Sequence, residues 1–210
     1  MSKRIAVLVS GGGTNLQALI DAQGRNELGG GQIVAVIASK PGAYALERAA
    51  RAGIPGYVVA RKDYPSSQAM TVALVDKLRE LNIDLVVLAG FMVILTGEMV
   101  DAFPNAILNV HPALIPAFCG EGCYGLHVHE KALAYGVKVT GATVHFVSEE
   151  CDGGPIVLQK AVYIQDGDTP EVLQRRVMEQ AEWVILPQAV SLFCQGRLRV
   201  EGRTVRILPQ

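Results

Sequence analysis

The sequence predicts a three-layer α/β fold with a mostly parallel, doubly wound sheet of about seven strands. In the first half of the chain, short apolar runs alternate with segments of helical periodicity, as expected for strands that helices cover on both faces. In the second half, two strand-like segments are joined by a loop too short for a crossover helix. This loop predicts an antiparallel pair near the C-terminal part.

The composition argues against nucleic-acid-binding, membrane and secreted proteins. The chain has 210 residues, of which 50% are hydrophobic and 19% charged, and its net charge is -1. We expect one globular domain over residues 1–210, without affinity for nucleic acid or membranes. No apolar run approaches the ~18 residues of a membrane span, and the N-terminus lacks a signal-peptide pattern. We interpret the four cysteines as free thiols, which favours a cytoplasmic location.

The first predicted element is a strand over residues 4–9, followed by Ser10-Gly11-Gly12-Gly13-Thr14-Asn15 and by helical spacing from Leu16. A strand, a glycine loop and a helix start together favour an anion site. The loop lacks the third glycine of the dinucleotide fingerprint and the Lys-Ser/Thr of a P-loop. We therefore expect a phosphate monoester, the alternative being a tight turn that needs glycine only for its geometry.

Three more strands and two helices are predicted before residue 90, from apolar runs and amphipathic spacing respectively. The strands are 33–38, 57–59 and 85–89, and the helices are 44–52 and 67–81.

Later elements follow from alternation and from helix-start signals. Residues 139–147 alternate in polarity, 148–155 are rich in turn formers, and 156–162 continue as a strand. Thr169-Pro170 predicts the start of a helix over about 170–195, with a kink or break at Pro187. Residues 197–208 predict a terminal hairpin.

The fifth strand carries the residues best suited to chemistry. Asn109 and His111 are two apart and face the same side of the strand, which Pro112 ends. Ligands of open α/β sheets bind at the carboxyl ends of strands, where an amide and an imidazole can stabilise an oxyanion and move a proton. The alternative is an ordinary strand end whose histidine caps a turn.

Two further groups bear on this site. Asp152 lies in a glycine-flanked loop, and a carboxylate near His111 would favour the imidazolium. Whether it reaches His111, about 40 residues away in the chain, stays open at this point. His145 is interpreted as a structural or site-supporting residue. Cys119, Cys123, His127 and His129 have the ligand types for zinc but not a usual zinc spacing, so we predict no metal site.

Five motifs of the chain are informative when taken together. They are Val9-Ser10-Gly11-Gly12-Gly13-Thr14-Asn15-Leu16-Gln17, Leu88-Ala89-Gly90-Phe91-Met92, Asn109-Val110-His111-Pro112, Gly141-Ala142-Thr143-Val144-His145-Phe146-Val147 and Asp152-Gly153-Gly154-Pro155. Together these motifs resemble those of the phosphoribosylglycinamide formyltransferase family, folate-dependent enzymes of purine synthesis.

The resemblance implies the formyltransferase fold and direct attack of a glycyl amine on the formyl carbon of 10-formyltetrahydrofolate. Asn109 and protonated His111 would stabilise the tetrahedral intermediate, and Asp152 would keep the imidazole charged. The ribonucleotide phosphate would be bound by Gly13, Thr14 and Asn15, and its ribose by Glu182. The folate pocket would be lined by Met92, Val93, Ile94, Leu95, Thr96, Ser148, Glu149, Glu150 and Cys151.

It also implies a ribonucleotide-binding N-terminal half, a folate-binding C-terminal half, no bound cofactor, and a monomer or homodimer whose partners are small molecules. Val93 and Ser67 stand where some members carry arginine, so no salt bridge to the folate glutamate is carried over.

Three other functions share some of these sequence features. A formyltetrahydrofolate hydrolase could use the same three residues, but such enzymes carry an additional N-terminal domain, and the first strand here begins at residue 4. A tRNA-directed formyltransferase would need a basic C-terminal domain. A non-catalytic nucleotide-binding module would explain the glycine loop but gives no reason for Asn109 and His111 to share a face.

Overall fold

A computed structural model describes residues 2–209. Its strands are β1 (Arg4–Val9), β2 (Gln32–Ala38), β3 (Gly56–Val58), β4 (Leu85–Leu88), β5 (Ile107–His111), β6 (Val139–Phe146), β7 (Ile156–Tyr163), β8 (Leu198–Glu201) and β9 (Thr204–Ile207). Its α-helices are α1 (Thr14–Gly24), α2 (Tyr44–Arg51), α3 (Ser67–Glu80), α4 (Gly97–Ala102), α5 (Leu126–Tyr135), α6 (Pro170–Val177) and α7 (Trp183–Cys194). A 3₁₀ turn covers Arg61–Asp63, and a π-helical segment covers Met178–Glu182.

All of these strands belong to one sheet in the order β3-β2-β1-β4-β5-β6-β7-β9-β8. The first five in that order pair in parallel, whereas β6 is antiparallel to both β5 and β7. The predicted α/β class, the mainly parallel sheet and the later antiparallel pair are therefore confirmed.

The strand count differs from the prediction, because nine strands rather than about seven share the sheet within residues 2–209. The predicted hairpin forms as β8 and β9, and β9 joins the edge of β7 at the pair Ile156↔Thr204. The alternating pattern of a hairpin does not indicate with which other strand the hairpin pairs. Covering the outer edge of β7 protects backbone groups that would otherwise be unpaired.

Side-chain alternation in the central strands builds a hydrophobic core on each face of the sheet. In β1, Ile5 and Val7 face the core that contains α1 and α7, whereas Ala6 and Leu8 face the core that contains α3. Each core excludes water from one face, so the sheet is buried between two helical layers. Within the described range, no helix combines the length and apolarity needed to cross a membrane.

The long C-terminal helix breaks at a different place from the one predicted. Pro187 lies inside α7, and the irregular π segment lies upstream of that helix. A proline ring clashes with the carbonyl four residues before it, which here belongs to Trp183, the first residue of α7. The irregular π segment thus directly precedes the turn that contains this carbonyl. The sequence patterns also did not predict α4 and α5.

The strand order brings the loops that follow β1, β4 and β5 to the same edge of the sheet. Because the order reverses between β1 and β4, the connections that follow these two strands leave in opposite directions and open a crevice at their carboxyl ends. The loop after β1 begins with Ser10, whose N–H donates to the carbonyl of Gly90 after β4 at 3.1 Å. Strand β5 lies next to β4, so its carboxyl end opens on the same edge.

Candidate active site

Strand β5 presents the Asn109 and His111 side chains at its carboxyl end, and β6 pairs with β5 alongside them. The antiparallel register places Asn109 opposite His145 and His111 opposite Thr143. His111 is buried, with 4% of its surface exposed, and Asn109 is half-buried. The predicted common face of the two residues follows from the alternation of side chains along a regular strand.

The contact that the sequence left open is present, because Asp152 reaches both residues of β5. Its Oδ2 lies 3.5 Å from His111 Nδ1, and its Oδ1 accepts from Asn109 Nδ2 at 3.4 Å. Asp152 lies in the turn between β6 and β7 and has a left-handed φ of 53°. This turn brings the carboxylate back over the end of β5, so three polar groups from remote parts of the chain converge.

His145 supports this arrangement from β6. Its Nδ1 lies 2.9 Å from the carbonyl oxygen of Phe146, which can only accept, so Nδ1 carries a proton. Its Nε2 lies 3.1 Å from Asn109 Nδ2 and 3.5 Å from Asp152 Oδ1. These contacts hold the Asn109 amide and the Asp152 carboxylate in place.

The loop that follows β5 adds a set of contacts that no sequence pattern predicted. The carbonyl of Phe118 lies 2.9 Å from His111 Nε2, and the N–H of Gly120 donates to Asp152 Oδ2 at 3.0 Å. Phe118 has a left-handed φ of 50°, which is costly for a bulky residue. Only the glycines of this loop signalled an irregular backbone, and glycines do not tell which groups the loop contacts.

Burial changes the expected charge state of His111. Burial lowers the pKa of His111, and the Asp152 carboxylate and the Phe118 carbonyl, which raise it, oppose this only in part. Asp152 thus favours the charged imidazole as expected, but burial has the larger effect in the free site, and the charge state of His111 during the reaction stays a prediction. Burial would raise the pKa of Asp152, but its hydrogen bond with His145, the nearby His111 and the Gly120 N–H lower it further. Asp152 is a carboxylate.

The glycine loop joins β1 directly to α1, as predicted. Gly13 caps α1 with a left-handed φ of 72°, and a side chain there would strike Ala45. No N–H group from Gly11 to Asn15 has a hydrogen-bond partner in the part of the chain that the structure describes. A helix N-terminus with free N–H groups is suited to bind an anion.

Glu182 lies beside this loop although 167 residues separate it from Asn15 in the chain. Asn15 Nδ2 donates to Glu182 Oε2 at 2.6 Å, and Glu182 is 6% exposed. Burial raises the pKa of Glu182 to about 7, and the hydrogen bond from Asn15 opposes this only in part. Its Oε1 has no hydrogen-bond donor among residues 2–209, so it is free to accept from a ligand hydroxyl. Glu182 ends the π segment, a form often found at functional sites.

The segment after β4, predicted to line a folate pocket, divides between the core and the surface. Met92 and Ile94 are exposed, at 53% and 77%, while Val93 and Leu95 pack against the α3 side of the sheet. The N–H of Thr96 is held by a side-chain hydroxyl of α3 at 3.3 Å. The most exposed side chains of this segment are therefore those of Met92 and Ile94.

The second predicted folate segment lies next to the first. The carboxylate of Glu149 lies beside Gly97 at the start of α4. Ser148 donates to the carbonyl of Glu150 at 3.1 Å, which closes the turn, and Cys151 is exposed. The two segments thus approach each other next to the Asp152 carboxylate.

The four residues with zinc-ligand side chains do not form one cluster. Cys119 donates to the carbonyl of Pro116, and Cys123 lies 3.1 Å from Lys131 Nζ. His127 pairs with Glu130 at 2.8 Å, and His129 is fully buried in α5. No group of three or more possible metal-ligating side chains occurs across residues 2–209, and all four cysteines are free thiols.

The comparisons with protein families, individual proteins and solved structures all identify formyl transferases. A formyl transferase family model matches residues 3–190. Phosphoribosylglycinamide formyltransferase of Haemophilus influenzae is 44% identical over 199 residues, which cover 95% of this chain and 91% of that protein. The crystal structure of glycinamide ribonucleotide transformylase 1 from Symbiobacterium toebii superimposes with a TM-score of 0.93 and 48% identity, covering 99% of this chain and 95% of that one.

A longer relative shows the same similarity over one part of its length. The trifunctional purine biosynthetic protein adenosine-3 of Bos taurus is 45% identical over 204 residues, and this chain spans only 19% of that protein. The Haemophilus influenzae and Symbiobacterium toebii matches hold over nearly the full length of both partners, and the asparagine, histidine and aspartate of the motifs converge at the end of β5. The chain therefore belongs to the phosphoribosylglycinamide formyltransferase family of formyl transferases.

Proposed function

We propose that this chain transfers the formyl group of 10-formyltetrahydrofolate to the glycyl amine of N1-(5-phosphoribosyl)glycinamide, a step of de novo purine biosynthesis. The observation that carries the proposal is the convergence of Asn109, His111 and Asp152 within 3.5 Å contacts, on the sheet edge that also holds the glycine loop. The site needs no covalent nucleophile, because an amine substrate supplies its own.

The chemistry follows from the charge state of the three side chains. The amine nitrogen attacks the formyl carbon, a C–N bond forms, and the carbonyl electron pair moves to oxygen. The Asn109 amide donates to this oxyanion. The His111–Asp152 pair takes the proton that the amine loses, because His111 is neutral near pH 7 and its charged form lies against the carboxylate. The same proton passes to the folate nitrogen as its bond to the formyl carbon breaks.

The substrates occupy the two ends of the crevice. Gly13, Thr14 and Asn15 bind the phosphate through their free N–H groups, and Glu182 Oε1 accepts a ribose hydroxyl. The folate lies between residues 92–96 and residues 148–151, which flank the catalytic carboxylate. Residues from the first and last thirds of the chain form the ribonucleotide site, since Asn15 in the first third is hydrogen-bonded to Glu182 in the last.

Cofactor, partners and location are part of the proposal. Folate acts as a co-substrate and no cofactor stays bound, so the partners are two small molecules, with neither nucleic acid nor membrane involved. The free thiols support a cytoplasmic location, and we expect a monomer or homodimer.

The test follows the absorbance of formyl-folate with and without glycinamide ribonucleotide. We expect consumption only when the ribonucleotide is present. Consumption without it would favour a hydrolase, and no consumption in either case would favour a nucleotide-binding module.

A pair of histidine variants tests the site itself. His111→Ala should abolish turnover and keep phosphate binding. His127→Ala is the matched control, because His127 is exposed and pairs only with Glu130 and Tyr124 on α5 and its approach. Equal turnover of the two variants would contradict the role of His111.

A further inference from the structure

The carbonyl groups of the glycine loop all point away from the proposed phosphate site. The carbonyl of Gly11 accepts from the N–H of Ala45 at 3.1 Å, and that of Gly13 accepts from the N–H of Gln17 at 2.9 Å. The carbonyl of Gly12 accepts from Arg48 Nε at 2.8 Å. Two of these three carbonyls are thus held by α2, a helix that the phosphate-loop motif does not include.

Arg48 is the one side chain that holds the backbone of this loop from outside, among the contacts of the described residues. Its Nη1 donates to Gln17 Oε1 at 2.9 Å, so the guanidinium also reaches the first turns of α1. Its aliphatic stem packs beside Gly13, and its guanidinium lies over the ring of Tyr44 at 5.0 Å. The side chain is therefore fixed at three points.

Because the peptide group is planar, the contact between Arg48 and the Gly12 carbonyl also fixes the direction of the Gly13 N–H. In a trans peptide the C=O of one residue and the N–H of the next point in opposite directions. Because Arg48 holds the Gly12 carbonyl against α2, the N–H of Gly13 must face away from α2. We propose that Arg48 is a positioning residue for phosphate binding, which holds the Gly12–Gly13 peptide so that the Gly13 N–H faces the substrate phosphate.

The charge of Arg48 adds to this effect. No carboxylate lies within 4.0 Å of Arg48 anywhere in residues 2–209, whereas Arg51, one turn later, pairs with Glu47 at 3.5 Å. A guanidinium without a carboxylate partner contributes positive potential behind an anion site. Lysine carries the same charge but cannot donate to two acceptors in a fixed planar geometry. Lysine should therefore restore the charge but only part of the positioning.

The test compares Arg48→Ala, Arg48→Lys and the control Arg51→Ala. Arg51 lies on the same helix and touches the same Tyr44 ring, but it does not contact the glycine loop. We expect Arg48→Ala to raise the KM for the ribonucleotide by about tenfold or more. Its kcat should stay within about twofold, and its KM for formyl-folate should not change. Arg48→Lys should be intermediate, and Arg51→Ala should match the parent protein.

A binding measurement separates this inference from the proposed function, on which it rests. Calorimetric titration with ribose 5-phosphate should show about tenfold weaker binding to Arg48→Ala, whereas ribose should bind both proteins equally weakly. Ribose 5-phosphate affinity equal to that of the parent protein would overturn the role of Arg48. So would parallel losses in kcat, both KM values and the unfolding midpoint, which would show a purely structural role. If the parent protein binds ribose 5-phosphate but lacks ribonucleotide-dependent turnover, the proposed function fails and the role of Arg48 is still decided.

Discussion

Replacing Glu182 with glutamine should stabilise the protein at alkaline pH while weakening ribonucleotide binding. Glu182 is 6% exposed and receives a single hydrogen bond, from Asn15. Its pKa is raised by burial to about 7, from 4.5. The folded protein therefore binds this proton more tightly than the unfolded chain does. The resulting stabilisation is fully present below pH 4.5 and is lost as the pH rises through about 7.

The size of the effect follows from the two pKa values. The difference between 4.5 and about 7 corresponds to about 3 kcal/mol in the free energy of unfolding. Glutamine has nearly the same shape, does not titrate, and keeps a carbonyl oxygen that can accept from Asn15. Glu182→Gln should thus equal the parent protein near pH ~4.5 and exceed it by up to about 3 kcal/mol near pH ~8.

Urea unfolding of both proteins across this pH range measures the difference directly. Glu179→Gln is the matched control, since Glu179 lies in the same π segment but is exposed, and it should show no such trend. In turnover assays, Glu182→Gln should raise the KM for the ribonucleotide, because an amide group presents one acceptor oxygen instead of two. Identical pH profiles of stability for Glu182→Gln and the parent protein would refute the argument.

Three other perturbations test the site and the packing. Asp152→Asn should lower kcat by about 10²–10³ with little change in the unfolding midpoint, and ribonucleotide-dependent turnover near the parental rate would contradict its role. His129 is fully buried, its ring nitrogens lack partners in the described chain, and burial lowers its pKa to about 4. The stability that the neutral, buried His129 contributes is up to about 3 kcal/mol. It is fully present above pH 6.5 and is lost as the pH falls through about 4. Because leucine does not titrate, the free energy of unfolding of His129→Leu should fall less at acid pH than that of the parent protein. Gly154→Ala would place a methyl group 1.8 Å from the carbonyl oxygen of Phe146 and should lower the melting temperature clearly, whereas Gly24→Ala, with open space around it, should leave the melting temperature equal or higher.

Local patterns were sufficient for the features that depend on neighbours in the chain. The strand, glycine loop and helix over residues 4–24 could be predicted because apolar spacing and backbone freedom act within a few residues. The common face of Asn109 and His111 follows from the two-residue period of a strand. The antiparallel pairing of β6 and β7 follows from the short loop that joins them.

Tertiary structure decided the features that depend on which distant groups meet. The contact of Asp152 with His111 requires the pairing of β5, β6 and β7 and a left-handed turn. The hydrogen bonds from the loop after β5 and the docking of β9 on β7 likewise involve no local pattern.

The charge state of His111 was also decided by the fold, because burial depends on everything packed around a group and here it outweighs the one carboxylate nearby. The amino-acid sequence by itself determined which chemical groups the protein possesses and on which strand or loop each is carried. The packing of the sheet decided their distances and protonation, since both depend on residues far apart in the chain.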